Sequence, residues 1–177
     1  HLNPGRDILS VTQDRLSEKT FLNAIGIPVA DFSAVAHEGD IKFRLEKTNG
    51  EPAIMKTRRF GYDGKGQARI TAGDDGIAAF NSLGSDDCIL EEMVNFTAEA
   101  SFLAARNHAG AISVFPASIN HHEDGILATS NAPADPSILT PSLLKEGQDA
   151  VVALAEKLDL MGVLAVEMFI TPKGLMF

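Results

Sequence analysis

Residues 53–67 read Ala53-Ile54-Met55-Lys56-Thr57-Arg58-Arg59-Phe60-Gly61-Tyr62-Asp63-Gly64-Lys65-Gly66-Gln67. The apolar start predicts a short strand over 53–56 that runs into a loop. In that loop Gly61, Gly64 and Gly66 free the backbone to bring successive N–H groups close to an anion, and phosphate is the natural guest. Lys56 at the strand end and Lys65 within the loop add point charges suited to a polyphosphate, while Arg58 and Arg59 flank the approach. Gly66, not Ser or Thr, follows Lys65, so this is not a loop of the G-x-x-x-x-G-K-[ST] type. A flexible hairpin with solvated basic residues fits the same spacing, and the residues alone leave both readings open.

Upstream, Leu16, Phe21, Leu22 and Ile25 recur at helical spacing, predicting a helix over 12–25 with Thr12 as its cap and Gly26 at its end. Arg15 and Lys19, one turn apart, read as a solvated face of it. A strand is expected over 27–35 and a short helix over 41–45, closed by Asn49-Gly50. Downstream, a strand over 68–71 and a helix over 74–83 lead to a buried strand over 88–94. Its end carries Glu91 and Glu92, and at least one of two adjacent carboxylates must face the less polar side. Such a group needs a partner, and a lysine across the sheet would serve. An adenine could instead use the backbone of this strand, with Glu99 accepting from ribose hydroxyls.

Strands are expected over 98–105 and 111–118, then a loop over 120–136 rich in His, Asp, Asn and Pro. His121 and His122 are adjacent and would face opposite ways on an extended chain, with no cysteine nearby, so zinc is discounted in favour of a hydrogen-bonding residue. An amphipathic helix over 141–160 and a strand over 163–171 follow. The Pro172-Lys173-Gly174 turn then leads into a short returning strand. Glu167 is the single charge in that last long strand. Magnesium shared with phosphate oxygens would satisfy it if it is enclosed, and water would do so if one strand face is solvated. A boundary near 94–97 divides the chain into lobes over 1–94 and 95–177 with a cleft between them.

The chain has 177 residues, 45% of them hydrophobic, and a formal charge of -9. That is enough to bury a core, and the acidity disfavours nucleic acid and anionic membrane as partners. No stretch approaches the roughly 20 apolar residues of a membrane span, and the polar start lacks the regions of a signal peptide. Cys88 has no cysteine to pair with inside the chain, which fits a reducing cytoplasm.

The order Asp14-Arg15-Leu16 with Lys19, then Ile54-Met55-Lys56, then residues 61–67, then Ile89-Leu90-Glu91-Glu92-Met93-Val94 with Asn95-Phe96 and Glu99, resembles the ATP-grasp enzymes. Among them it is most similar to the carboxyaminoimidazole ribonucleotide synthetase family of purine biosynthesis. The likeness continues through Asn120, His122, Asp124-Gly125-Ile126-Leu127 and Gly162 to Glu167. Phe60 departs from the pattern, standing where a glycine often precedes the loop motif.

The resemblance implies an α+β ATP-grasp fold of two lobes, with mostly antiparallel sheets, flanking helices and the nucleotide in the cleft. It implies ATP and Mg2+ as cofactors, with Arg15 and Lys56 on the phosphates and Gly61, Tyr62, Asp63, Gly64, Lys65, Gly66 and Gln67 as a mobile lid. Glu91, Glu92, Met93 and Val94 would hold adenine mainly through backbone groups, Glu99 would bind ribose, and His122 would line the nucleotide site. Glu167 would be one of two acidic magnesium ligands. The second, the substrate-reading segment and two flanking domains would lie beyond this chain, which is therefore expected to be inactive alone. Bicarbonate and aminoimidazole ribonucleotide are the implied substrates, and a cytoplasmic homodimer the implied form. Another ATP-grasp ligase, or a nucleotide-binding fragment without chemistry, are the rival readings.

Overall fold

The structure, a computed structural model, describes residues 3–47, 51–61, 65–71 and 74–177. The lid residues Tyr62, Asp63 and Gly64 and the expected helix stop at Asn49-Gly50 lie outside these. The elements run α1 (Arg6–Thr12), α2 (Arg15–Ala24), β1 (Phe32–Val35), α3 (Glu38–Lys47), β2 (Ala53–Thr57), β3 (Gln67–Ile70), α4 (Gly76–Ser82) and β4 (Cys88–Glu92). They continue with β5 (Ala98–Arg106), β6 (Ile112–Val114), β7 (Ser118–Glu123), β8 (Ile126–Asn131), α5 (Pro141–Lys157), β9 (Gly162–Thr171) and β10 (Gly174–Met176). The chain forms two compact units, one of Val11–Phe21 and Ala30–Val94, the other of His1–Ser10, Leu22–Val29 and Asn95–Phe177.

The unit containing β1 to β4 holds an antiparallel sheet in the order β1-β4-β2-β3. Alternation along β2 sends Ala53 and Met55 into a core with Val35, Ile41, Ile70, Phe80, Cys88 and Leu90, which α3 and α4 cover. The intervening positions, Ile54 and Lys56 on β2 and Ile89 and Glu91 on β4, share the opposite face. Asp75 caps α4 by accepting from the Ile77 and Ala78 N–H groups. Phe60 follows β2 with φ 62° and its ring 93% exposed. A left-handed backbone costs a non-glycine residue about 1–2 kcal/mol, and an exposed ring regains little of that by packing. Phe60→Gly is therefore expected to stabilise this unit by up to about 1 kcal/mol, net of glycine's larger unfolded-state entropy. Urea unfolding of the two proteins measures it.

The other unit is built on a six-stranded antiparallel sheet, β10-β9-β5-β7-β8 with β6 added to β5. Helix α5 covers the face that carries Phe102, Val166, Met168 and Ile170. It begins well: Thr140 accepts from the Leu143 N–H, and Pro141 occupies the first turn, where a missing donor does no harm. Gly147 lets it approach, because a β-carbon there would collide with the fully buried Phe102 ring.

Several expectations need correction. The region 120–136 is not all loop: β7 and β8 form a hairpin across Asp124-Gly125, with φ of 52° and 78°. Every residue of β8 is exposed, so no apolar alternation marked it, although Asp-Gly is a strong hairpin signal. The expected strand over 111–118 divides into β6 and the start of β7. The helix expected over 12–25 is two helices. Thr12 ends α1, and Asp14 caps α2 by accepting from the Ser17 N–H at 3.0 Å. The strand expected over 27–35 is confined to β1, and Gln67 belongs to β3. Met93 and Val94 follow β4, which ends at Glu92.

Candidate functional site

Asp14 organises one end of the sheet of β1 to β4. Besides capping α2, its carboxylate accepts from Arg58 Nη2 at 2.8 Å and Nε at 3.2 Å, and from Arg59 Nε at 3.1 Å. The Arg15 N–H donates to the Arg58 carbonyl at 3.0 Å, so the start of α2 is tied to the exit of β2. Burial of this 1% exposed carboxyl opposes its ionisation, but the Ser17 N–H and the Arg58 guanidinium prevail and hold it below the usual range. Arg15 thereby comes to the mouth of the glycine loop: a β-carbon on Gly61 would lie 3.0 Å from its Nη2. The far end of the loop returns beside Lys56, whose partner in the ladder is Gln67. The Thr57 N–H closes the loop on the Gly66 carbonyl at 2.8 Å. Gly66 has φ 73°, and a β-carbon there would meet Thr57 Oγ1 at 2.7 Å, so only glycine fits.

The two adjacent glutamates divide as strand geometry requires, with Glu91 4% exposed and Glu92 facing water. Glu91 Oε2 receives both Lys56 Nζ at 3.0 Å and Lys19 Nζ at 3.3 Å, while its Oε1 is buried without a hydrogen-bond partner. Lys19, 6% exposed, is thus not on a solvated face, and burial lowers its pKa against the pull of Glu91. Two lysines therefore fill the partner role expected of one. Beyond the strand, the Met93 N–H donates to the Pro52 carbonyl at 3.1 Å and its side chain is exposed. Val94 is half-buried.

Glu18 sits beside this cluster and lines an open pocket with Arg15, Arg58, Arg59, Phe60 and Gly61. Burial pushes its carboxyl up to about 7, Glu91 adds to the shift, and Arg15, Lys19 and Lys56 oppose it. The folded chain therefore holds this proton where the unfolded chain has released it, and stability falls as pH rises from about 4.5 to about 7. Glu18→Gln is expected to remove that slope and to be more stable than the wild type by about 2 kcal/mol at pH 8. Denaturant unfolding at a series of pH values checks this, and parallel curves for the two proteins would contradict it.

In the other unit, the sheet face opposite α5 is polar. Glu99 and Ser101 on β5, Asn120 and His122 on β7, Ser130 on β8 and Glu167 on β9 lie on it, with Ser101 paired to Glu167 and Glu99 to Asn120 in the ladders. His122 Nδ1 approaches Glu99 Oε2 to 3.1 Å off the hydrogen-bonding direction. Burial raises the Glu99 pKa and Glu167 adds to the rise, while His122 opposes it. Glu167 is on the solvated face, and Asn120 Nδ2 donates to its Oε1 at 3.3 Å. His121 points the other way, with its side chain 67% exposed. Among the described residues no group of three His, Cys, Asp or Glu side chains forms a protein cage for a metal. A single hard-oxygen ligand such as Glu167 suits a cation that keeps water and phosphate oxygens among its other ligands, as magnesium does.

Sequence reasoning placed Lys56, the glycine loop, Glu91, Glu99, His122 and Glu167 among the candidates. It did not find Asp14 as the hub, Glu18, or the burial of Lys19. An acidic residue immediately before a helical pattern is a cap signal, and it could have singled out Asp14.

A family model described as the ATP-grasp domain matches residues 20–177. The N5-carboxyaminoimidazole ribonucleotide synthase of Brucella melitensis is 39% identical over 173 residues, which are 97% of this chain and 47% of that protein. The crystal structure of the N5-carboxyaminoimidazole ribonucleotide synthetase of Thermus thermophilus superposes with TM-score 0.89 at 37% identity, over 99% of this chain and 46% of its own. A synthetase of the same name solved as an ADP complex gives TM-score 0.88 at 35% identity, over 97% and 44%. The chain thus spans somewhat under half the length of the relatives it matches. No helix among the described residues is long and apolar enough to cross a membrane.

Proposed function

Because the chain belongs to the ATP-grasp family, we propose that it carries the nucleotide-binding part of a carboxyaminoimidazole ribonucleotide synthetase. In that reading it binds Mg-ATP, and the whole protein uses ATP to join bicarbonate to the amine of aminoimidazole ribonucleotide. A cytoplasmic homodimer goes with this reading. The observation that supports it most directly is that both ends of the glycine loop, Gly61 and Gln67, are held beside Arg15 and Lys56. That arrangement presents two cations and the backbone N–H groups of the loop ends to a polyphosphate. The likeness to the named synthases, which extends over the loop itself, supports the choice of substrates.

Bicarbonate is a poor electrophile, and phosphorylating it creates a leaving group that an amine can displace. Arg15 and Lys56 would neutralise the transferring phosphate, and residues 61–67 would cover it and keep water from the labile carboxyphosphate. Glu91 to Val94 would take the adenine, with Glu99 on the ribose and His122 beside it. Glu167 would supply one carboxylate to Mg2+, which when bound neutralises charge on the phosphate oxygens.

Phosphate release from ATP by the gene product carrying these residues is the test. It should require both bicarbonate and aminoimidazole ribonucleotide. Release that is indifferent to both, or that requires a different acid and amine, would contradict the substrate reading and favour another ligase of the family.

A further inference from the structure

We propose that Asn120 is a positioning residue, locked by three serines so that its amide N–H orients Glu167 toward a bound cation. The proposal rests on the cation role given above to Glu167.

Asn120 is 6% exposed and its side-chain hydrogen-bonding capacity is filled. Oδ1 accepts from Ser118 Oγ at 3.2 Å and from Ser130 Oγ at 2.9 Å. Nδ2 donates to Ser101 Oγ at 2.6 Å and to Glu167 Oε1 at 3.3 Å. Serine hydroxyls can donate or accept, so the serines alone would tolerate either orientation of the amide. The carboxylate decides it: the reversed amide would set an oxygen against Glu167 Oε1.

Ser101 and Ser118 are also buried, at 8% and 7% exposure, in a sheet whose other face is packed with Phe102, Val166 and Met168. Apolar residues would stabilise such positions at least as well, so the fold itself does not call for a polar network there. What the network delivers outward is one N–H on one oxygen of an exposed carboxylate. A glutamate side chain free in water samples many rotamers, and a fixed donor on Oε1 restricts it while holding the other oxygen in a defined direction. Ligands of a cation are commonly set by such partners, whose removal costs about 10–100-fold in metal affinity.

ATP affinity is measured by calorimetry on the full chain, with magnesium and with EDTA, for the wild type, Asn120→Ala, Ser130→Ala, Glu167→Gln and the Asn120→Ala/Glu167→Gln double variant. Magnesium should strengthen binding by the wild type. Asn120→Ala should cut that gain about 10-fold or more and leave the affinity in EDTA nearly unchanged. Ser130→Ala, which loosens the amide without removing it, should cut the gain by less. In the Glu167→Gln background Asn120→Ala should have no further effect. If Asn120→Ala does not fold, Ser130→Ala decides, since that serine lies at the exposed rim. A gain that survives Asn120→Ala overturns the proposal, as do parallel losses with and without magnesium, which indicate a purely structural residue. A wild-type gain that Glu167→Gln leaves intact refutes the cation role of Glu167 itself, a separate and recognisable failure.

Discussion

Lys56→Ala is expected to weaken Mg-ATP binding about 100-fold while leaving the chain folded. A hydrogen bond from a charged donor contributes about 1.5–3 kcal/mol, and the upper part of that range corresponds to about 100-fold in affinity. The upper part applies because Lys56 is anchored: Glu91 holds its ammonium at 3.0 Å and leaves the side chain 20% exposed. The fold should survive because Glu91 keeps Lys19 at 3.3 Å when Lys56 is gone. One lysine can be lost from the cluster without stranding a buried carboxylate, the situation that makes breaking most buried pairs so destructive. Calorimetric titration at one fixed salt concentration reads the affinity, and thermal unfolding reads the fold. A tenfold change or less would mean that Lys56 serves the sheet and not the ligand.

Asp14→Ala is expected to destabilise the unit that contains it by about 3 kcal/mol. The substitution removes a helix cap, worth about 1 kcal/mol, and takes from Arg58 and Arg59 their shared carboxylate, leaving Arg58 only the exposed Asp87 at 3.7 Å. Partial exposure of both arginines, 25% and 49%, keeps the loss below that of a fully buried pair. The carboxyl of Asp14 is held below its ordinary 3.8, so its contribution is present above that pH and disappears as pH falls through the folded value. The gap between wild type and variant should therefore close in acid, opposite in sense to the Glu18 effect between about 4.5 and about 7. Asp14→Asn, which keeps a capping acceptor, should lose less. Urea unfolding from neutral pH down to well below 3.8 measures both, and a gap that does not close in acid would contradict the assignment of the loss to this ion pair.

What could be read from the chain beforehand follows a physical division. Helix α5 was legible because its cap, its leading proline and its apolar spacing agree, and β2 with the glycine loop because a strand signal meets closely spaced glycines. Strand β8 was not legible, since a strand with no buried residue leaves no alternation to detect. Thr12 and Asp14 are both able to cap a helix, and only the fold shows that one ends α1 while the other starts α2. Lys19 misled because burial of a lysine depends on a carboxylate far along the chain, here Glu91, and local spacing carries no trace of it. Glu167 was open between enclosure and a solvated face. It is on the solvated face, yet bonded to a buried asparagine whose serine partners come from three separate strands.

Hydrogen exchange of the chain with and without Mg-ATP reads nucleotide contacts segment by segment along the whole sequence. ATP should slow exchange in 56–67, 91–94 and 120–122 and leave α5 unchanged. Absence of protection in a chain that is otherwise folded, or protection confined to segments away from Lys56 and Glu91, would contradict it.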